Sequence, residues 1–166
     1  GRTKEIATVD ALLQSPGQLV TLIGPSGIGK TRIAIEIGQT LLKSHRFSGI
    51  WMVDLSEARD ENQLLEALAR CLHMEGREFP SINRIAQSLA ARGQVLLIAD
   101  NVEQLIEPFA STIATIRKIS PQTSYLVTSQ HLTGCPGEQL VKIGPLSSDE
   151  AYRLFHLRAE ELGALD

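Results

Sequence analysis

The sequence predicts an α/β fold of three layers, in which helices cover both faces of a mainly parallel, five-stranded sheet. Apolar segments of five or six residues, rich in β-branched side chains, alternate with longer segments whose apolar residues recur at helical spacing. After a short initial helix the order is β-α-β-α-α-β-α-β-β-α, an alternation typical of parallel sheets with crossover helices. The 166 residues, 43% of them apolar, are enough to bury the core of such a domain.

The elements follow from these patterns in chain order. The predicted strands are 19–23, 50–55, 95–100, 124–129 and 139–143, and the predicted helices are 6–13, 30–43, 64–72, 82–93, 102–118 and 151–162. A capping box at 147–150 is expected to start the last helix. The residues that mark that helix are Ala151, Leu154, Phe155, Arg158, Ala159 and Leu162, and we expect its aliphatic stripe to be core rather than part of a site.

Residues 24–31 read Gly-Pro-Ser-Gly-Ile-Gly-Lys-Thr and fit the phosphate-binding pattern G-x-x-x-x-G-K-[ST] at every fixed position. They stand between a predicted strand and a predicted helix, as that motif requires. Glycines allow the tight turn, and the successive backbone N–H groups are expected to cradle phosphate oxygens. Lys30 is expected to reach the β- and γ-phosphates, and the Thr31 hydroxyl to ligate Mg²⁺. The predicted nucleotide-binding residues here are Gly24, Pro25, Ser26, Gly27, Ile28, Gly29, Lys30, Thr31 and Arg32. A glycine-rich turn without a ligand is the alternative.

Asp100 ends a strand of five apolar residues, where proteins with this loop place the acid that holds Mg²⁺. We therefore expect Thr31 and Asp100 to bind the metal, and Lys30 and Asp100 to be the main catalytic residues. An aspartate that only caps the next helix is the alternative. Asn101 and Glu103 are further catalytic candidates: Asn101 is able to orient a water but is a poor base, and Glu103 is otherwise a solvated helix residue.

Composition and charge exclude several classes of function. The net charge is −3 and no block of Lys or Arg stands out, so direct nucleic-acid binding by this domain is not indicated. No apolar run is long enough to span a membrane, and the N-terminal residues do not have the pattern expected of a signal peptide. Cys71 and Cys135 lie far apart without metal-type spacing. A cytoplasmic location is expected.

Several stretches together resemble the STAND family of signalling NTPases, which includes the NB-ARC proteins of plant immunity and animal cell death and bacterial transcriptional regulators of the AfsR and LuxR types. The stretches that carry the resemblance are residues 1–5, 20–32, 96–103, 127–129 and 145–155. A complete strand unit separates the loop strand from the Asp100 strand in the sequence. This spacing resembles the P-loop division with an inserted strand and implies the strand order 2-3-4-1-5.

The resemblance implies ATP or ADP with Mg²⁺ as the ligands, with Gly1 and Arg2 near the adenine. Gln130 stands at the sensor position, where the family often has arginine; glutamine donates a hydrogen bond but cannot neutralise phosphate charge. Residues 1–146 would form the nucleotide-binding domain, and 147–166 the truncated start of a following helical segment.

For function, the resemblance implies a switch domain of a multidomain signalling or transcriptional regulator. Such a domain hydrolyses ATP slowly and controls conformation and oligomerisation. Its expected partners are an adenine nucleotide, other domains of the same chain and further copies of itself, with no membrane contact. Two alternatives stay open: an ordinary P-loop ATPase or small-molecule kinase, and a non-enzymatic interaction module with a vestigial nucleotide site. The sequence lacks the arginine-rich lid segment that a kinase would need, and it lacks the N-K-x-D stretch with which a GTPase reads guanine.

Overall fold

The computed structural model describes residues 2–76 and 79–161. Helices and strands alternate along the chain as the sequence predicts. The elements are α1 (Thr3–Leu12), β1 (Leu19–Ile23), α2 (Lys30–Lys43), β2 (Gly49–Asp54), α3 (Glu61–Cys71), α4 (Ile82–Ala91), β3 (Val95–Asp100), α5 (Ile106–Ile119), β4 (Ser124–Ser129), β5 (Glu138–Lys142) and α6 (Ser148–Glu161).

Five strands of the described residues form one sheet in the order β2-β3-β4-β1-β5, with every neighbouring pair parallel. This confirms the predicted fold class and strand order. The register places Asp54 of β2 opposite Asp100 of β3, and Ile23 of β1 opposite Ser129 of β4. Because the strands run the same way, the loops that follow β1 to β4 meet at one edge of the sheet.

The core lies on both faces of the sheet, and β3 shows this best because its side chains alternate between the two. Val95, Leu97 and Ala99 pack against α3, α4 and α5, whereas Leu96 and Ile98 pack against α1 and α2. All five side chains are buried. A strand covered on both faces is a continuous apolar run, which is why this segment shows no alternation of apolar and polar residues.

The helix predicted from residue 102 is interrupted at its start. Residues Val102–Leu105 form a 3₁₀ turn, and the α-helix begins only at Ile106. Pro108 explains the difference because it has no N–H with which to close an α-helical bond to the carbonyl of Gln104. The tighter turn keeps the residues after β3 at the edge of the sheet.

The start of α6 agrees with the prediction of a capping box. The Ser147 backbone N–H donates to Oε2 of Glu150 at 3.0 Å, and the Glu150 N–H donates to Oγ of Ser147 at 3.3 Å. No helix within residues 2–76 and 79–161 combines the length and apolar character needed to cross a membrane.

Candidate phosphate-binding site

Residues 24–29 form the turn from β1 into α2, and two kinds of constraint select its glycines. Gly27 and Gly29 adopt φ angles of 75° and 98°, in the left-handed region that costs other residues about 1–2 kcal/mol. A Cβ at either position would meet open space, so the constraint there is conformational. At Gly24 the constraint is spatial, because a Cβ would lie 2.7 Å from the carbonyl oxygen of Ile143.

Lys30 begins α2 and folds back over the turn. Its side chain is buried, and Nζ donates to the carbonyl oxygens of Gly24 at 2.8 Å and Pro25 at 2.9 Å. An ammonium group has three donors, so one proton is left for an incoming phosphate oxygen. The loop thus holds a buried positive charge beside the N-terminus of α2, the end of the helix that attracts anions.

Asp100 is only 3% exposed and is held by three neighbours. The Thr31 hydroxyl lies 2.9 Å from both carboxylate oxygens. The Thr128 hydroxyl makes a short hydrogen bond to Oδ1, and Nδ2 of Asn101 donates to Oδ2 at 3.0 Å. Thr31 and Asp100, the two predicted metal ligands, are therefore adjacent.

The donor set of this pair fits Mg²⁺. A hydroxyl and a carboxylate are hard oxygen ligands, and Mg²⁺ commonly binds one or two protein oxygens together with phosphate and water. Among the described residues no group of three or more His, Cys, Asp or Glu side chains is placed to hold a metal alone. The arrangement therefore fits a metal that arrives with a phosphate ligand.

A cleft of about 820 Å³ opens in front of the loop. The loops that follow β1, β2, β3 and β4 contribute to it, as does α6. The lining residues are Ser26, Gly27, Gly29, Lys30, Thr31, Arg32, Ile35, Ser56, Asn101, Glu103, Gln104, Gln130 and Arg158. The candidates Asn101, Glu103 and Gln130 thus lie together with the loop. Ser56 and Gln104 were not predicted, although both follow strand ends, where ligands of parallel sheets bind.

A second cleft of about 350 Å³ shares Gly27, Gly29 and Arg32 with the first. Its other lining residues are Arg2, Ile28, Ile33, Glu36, Leu146, Glu150, Arg153, Leu154 and Leu157. Arg2 is buried there and donates to the carbonyl oxygen of Gly144 at 2.7 Å and to Glu5 at 2.9 Å. The predicted site residue Gly1 lies outside the described residues.

The prediction that the stripe of α6 is core holds at Ala159, which is buried, and is wrong for the rest of the stripe that the structure describes. Leu154 and Arg158 line clefts, and the Phe155 side chain is 66% exposed. Helical spacing reveals which residues share a face but not what that face contacts. It therefore cannot distinguish a face that packs in the core from a face that lines a cleft.

Asn101 has a left-handed backbone, with φ 61° and ψ 57°. Its Nδ2 lies between two carboxylates, 3.0 Å from Oδ2 of Asp100 and 3.3 Å from Oδ1 of Asp54. Asp54 was not among the predicted site residues. The backbone N–H of Ser56 donates to Asp54, and this bond is the main cause that lowers the pKa of the Asp54 carboxyl.

A parallel sheet of this strand order, a glycine loop entering α2 and a buried acid bonded to the loop threonine define a P-loop NTPase domain. The particular family is NB-ARC: the family model of the NB-ARC domain matches residues 3–162, and the chain belongs to this family. Membership implies nucleotide binding.

Two curated relatives come from Mycobacterium tuberculosis. An uncharacterised protein is 32% identical over 98% of this chain and 41% of its own length. A candidate HTH-type transcriptional regulator is 28% identical over 90% of this chain and 17% of its own length. The chain thus spans well under half of the relatives it matches.

Solved structures share the fold at low identity. The ORC1 protein of Aeropyrum pernix, solved with DNA, has a TM-score of 0.74 at 17% identity and covers 96% of this chain and 49% of its own. A STAND ATPase of Pyrococcus horikoshii with a tetratricopeptide repeat sensor has a TM-score of 0.62 at 16% identity, over 100% of this chain and 26% of its own.

Proposed function

We propose that this domain binds ATP or ADP with Mg²⁺ and acts as a nucleotide-dependent switch in a multidomain signalling or transcriptional regulator. The observation that carries the proposal is the position of α6, which lines both clefts beside the phosphate loop. A nucleotide that occupies both clefts therefore contacts this helix in each of them.

The phosphates are proposed to occupy the larger cleft. The backbone N–H groups of the loop and the one uncommitted proton of Lys30 bind their oxygens, and Thr31 and Asp100 hold Mg²⁺. When bound, the metal neutralises developing charge on the phosphates. Gln130 and Arg32 lie along the same cleft and contribute a hydrogen bond and a positive charge.

The adenine is proposed to occupy the smaller cleft. Ile28, Leu146, Leu154 and Leu157 give it an apolar lining suited to a flat aromatic ring. Arg2 also lines this cleft, and its hydrogen bond to the Gly144 carbonyl holds the segment that leads into α6. The two clefts meet at Gly27 and Gly29, so a single ligand reaches both.

We propose that residues 1–146 form the nucleotide-binding domain and that 147–166 begin a following helical segment.

The proposed switch depends on a contact between α6 and the nucleotide that ATP makes and ADP does not. Arg158 of α6 lines the phosphate cleft, where a γ-phosphate adds negative charge that ADP lacks. A ligand shifts a conformational equilibrium only if it binds the two states differently, and this contact provides such a difference. The resemblance of the chain to a candidate HTH-type regulator supports a role in transcription, with other domains and further copies of the chain as partners.

The test is isothermal calorimetry with ATP, ADP and GTP, with and without Mg²⁺. We expect binding that is selective for adenine, and we expect Lys30→Ala to weaken it about 100-fold, which corresponds to about 2.7 kcal/mol. Lys43→Ala is the matched control because this exposed lysine ends the same helix. Unchanged affinity in folded Lys30→Ala would contradict binding through this loop, and no binding by the folded wild type would favour a vestigial site. Fast hydrolysis without any partner would favour an ordinary P-loop ATPase.

A further inference from the structure

We infer that Asp54 is a positioning residue for ATP hydrolysis. Asp54 holds the Asn101 carboxamide so that the carbonyl oxygen of Asn101 orients the attacking water. The inference rests on the proposed function, because it concerns the same phosphate cleft. Asp54 ends β2, the strand beside β3, and stands opposite Asp100 in the parallel register.

Backbone geometry brings the three side chains together. Asn101 follows Asp100 in a left-handed conformation, and its backbone N–H donates to the Thr128 hydroxyl at 2.9 Å. This turn places Nδ2 at 3.3 Å from Asp54 Oδ1 and 3.0 Å from Asp100 Oδ2. Asp54 is itself held by the backbone N–H of Ser56 at 2.9 Å.

The chemistry of these neighbours determines which way the amide faces. Carboxylate groups present only acceptors, so the NH₂ group of Asn101 faces Asp54 and Asp100, because the carbonyl oxygen would be repelled there. Both Nδ2 protons are thereby committed to carboxylates. Oδ1 of Asn101 is left to accept a hydrogen bond, and Asn101 lines the phosphate cleft.

An acceptor at this point suits the water that attacks the γ-phosphorus. The water oxygen forms the new bond to phosphorus, and the bond from phosphorus to the bridging oxygen breaks, so that its electron pair leaves with ADP. A carboxamide cannot take the proton, which passes to an oxygen of the transferred phosphate and gives dihydrogen phosphate. Asn101 therefore orients the water without acting as a base, and we expect hydrolysis to be slow for this reason.

The experiment measures single-turnover ATP hydrolysis and nucleotide affinity in four variants: Asp54→Ala, Asp54→Asn, Asn101→Ala and the double Asp54→Ala/Asn101→Ala. We expect Asp54→Ala and Asn101→Ala to slow hydrolysis roughly tenfold while affinity stays within about twofold, because only the orientation of the water is lost. Asp54→Asn keeps a carbonyl oxygen that accepts the same bonds, so it should retain most of the rate. Glu57→Ala is the control, an exposed carboxylate in the same loop.

A second readout needs no nucleotide. The side-chain amide signals of Asn101 in the ¹H–¹⁵N spectrum should shift in Asp54→Ala and stay in place in Glu57→Ala.

The double variant should hydrolyse ATP no more slowly than Asn101→Ala, because Asp54 acts through Asn101.

Four results would overturn the inference. Asp54→Asn as slow as Asp54→Ala would mean that the charge of Asp54 matters rather than its hydrogen bond. A further slowing in the double variant would show that Asp54 acts independently, for instance through the Ser56 turn. Binding without measurable hydrolysis by the wild type would overturn this inference alone, whereas failure to bind any nucleotide would overturn the proposed function as well.

Discussion

The Thr31 hydroxyl lies 2.9 Å from both carboxylate oxygens of Asp100, a residue 69 positions further along the chain. This contact joins the first turn of α2 to the carboxyl end of β3. The proposed metal site therefore depends on how α2 packs against the sheet as well as on the two side chains.

Thr31→Ala should remove most of the Mg²⁺ dependence of ATP binding. The hydroxyl is one of two proposed protein ligands, and its loss should weaken ATP binding in Mg²⁺ about tenfold, or about 1.4 kcal/mol. Thr31→Ser should behave as the wild type because it keeps the oxygen. Calorimetry with and without Mg²⁺ measures the effect, and Thr40→Ala, a change of an exposed threonine on the same helix, serves as the control. An unchanged Mg²⁺ dependence in Thr31→Ala would exclude this residue as a ligand.

Gly24→Ala should damage the loop, whereas Gly144→Ala should be nearly neutral. The new Cβ at Gly24 would lie 2.7 Å from the carbonyl oxygen of Ile143, so the loop or β5 must move. We expect a loss of about 1–3 kcal/mol in the free energy of unfolding and weaker nucleotide binding. A Cβ at Gly144 meets nothing within 4 Å. Urea unfolding and ATP titration of both variants make the comparison, and equal behaviour would refute the steric argument.

Leu154→Asn should weaken the binding of ADP but not that of pyrophosphate. The side chain lines the smaller cleft, and burying it against a base contributes about 1–2 kcal/mol, or roughly tenfold in affinity. Pyrophosphate occupies only the phosphate cleft and should bind both proteins equally. Phe155→Asn is the control because that neighbouring residue is exposed and lines neither cleft. A parallel loss for both ligands would place the base elsewhere.

Glu138→Ala should destabilise the edge of the sheet. The Glu138 carboxylate accepts from the hydroxyls of Thr21 at 2.7 Å and Thr133 at 2.8 Å, and from two backbone N–H groups at 3.1 Å. Both threonines are buried, so their donors would lose partners without regaining water, at a cost of about 1–3 kcal/mol. Lys142→Ala, an exposed change on the same strand, should cost little. Urea midpoints measure both, and equal midpoints would mean that water replaces the carboxylate.

Sequence patterns predicted most of the fold because its elements are locally encoded. The strands, the loop at residues 24–31 and the capping box at Ser147 each lie in one contiguous stretch, where spacing and turn chemistry act directly. Where the prediction was wrong, the cause was also specific: Pro108 delays α5 by a 3₁₀ turn, and the stripe of α6 borders clefts rather than core.

Asp54 shows why the remainder of the site was not predicted. It ends β2, a partly exposed strand at the edge of the sheet, and nothing beside it in the sequence distinguishes it from other surface aspartates. Only the parallel register of β2 and β3 places it opposite Asp100, and only the left-handed backbone at Asn101 turns an amide between them. The hydrogen bond from Asn101 to Asp54 joins residues 47 positions apart, and single-sequence periodicity carries no information on that scale.

Local patterns in the sequence thus specify the order of helices and strands and the glycine loop between β1 and α2, because glycine conformations and apolar periodicity act over a few residues. Which carboxylates meet at the carboxyl edge, and how α6 comes to line both clefts, could be seen only in the folded chain. Those outcomes depend on strand register and on packing across the sheet, where each contact is set by the whole core rather than by the segment that contains it.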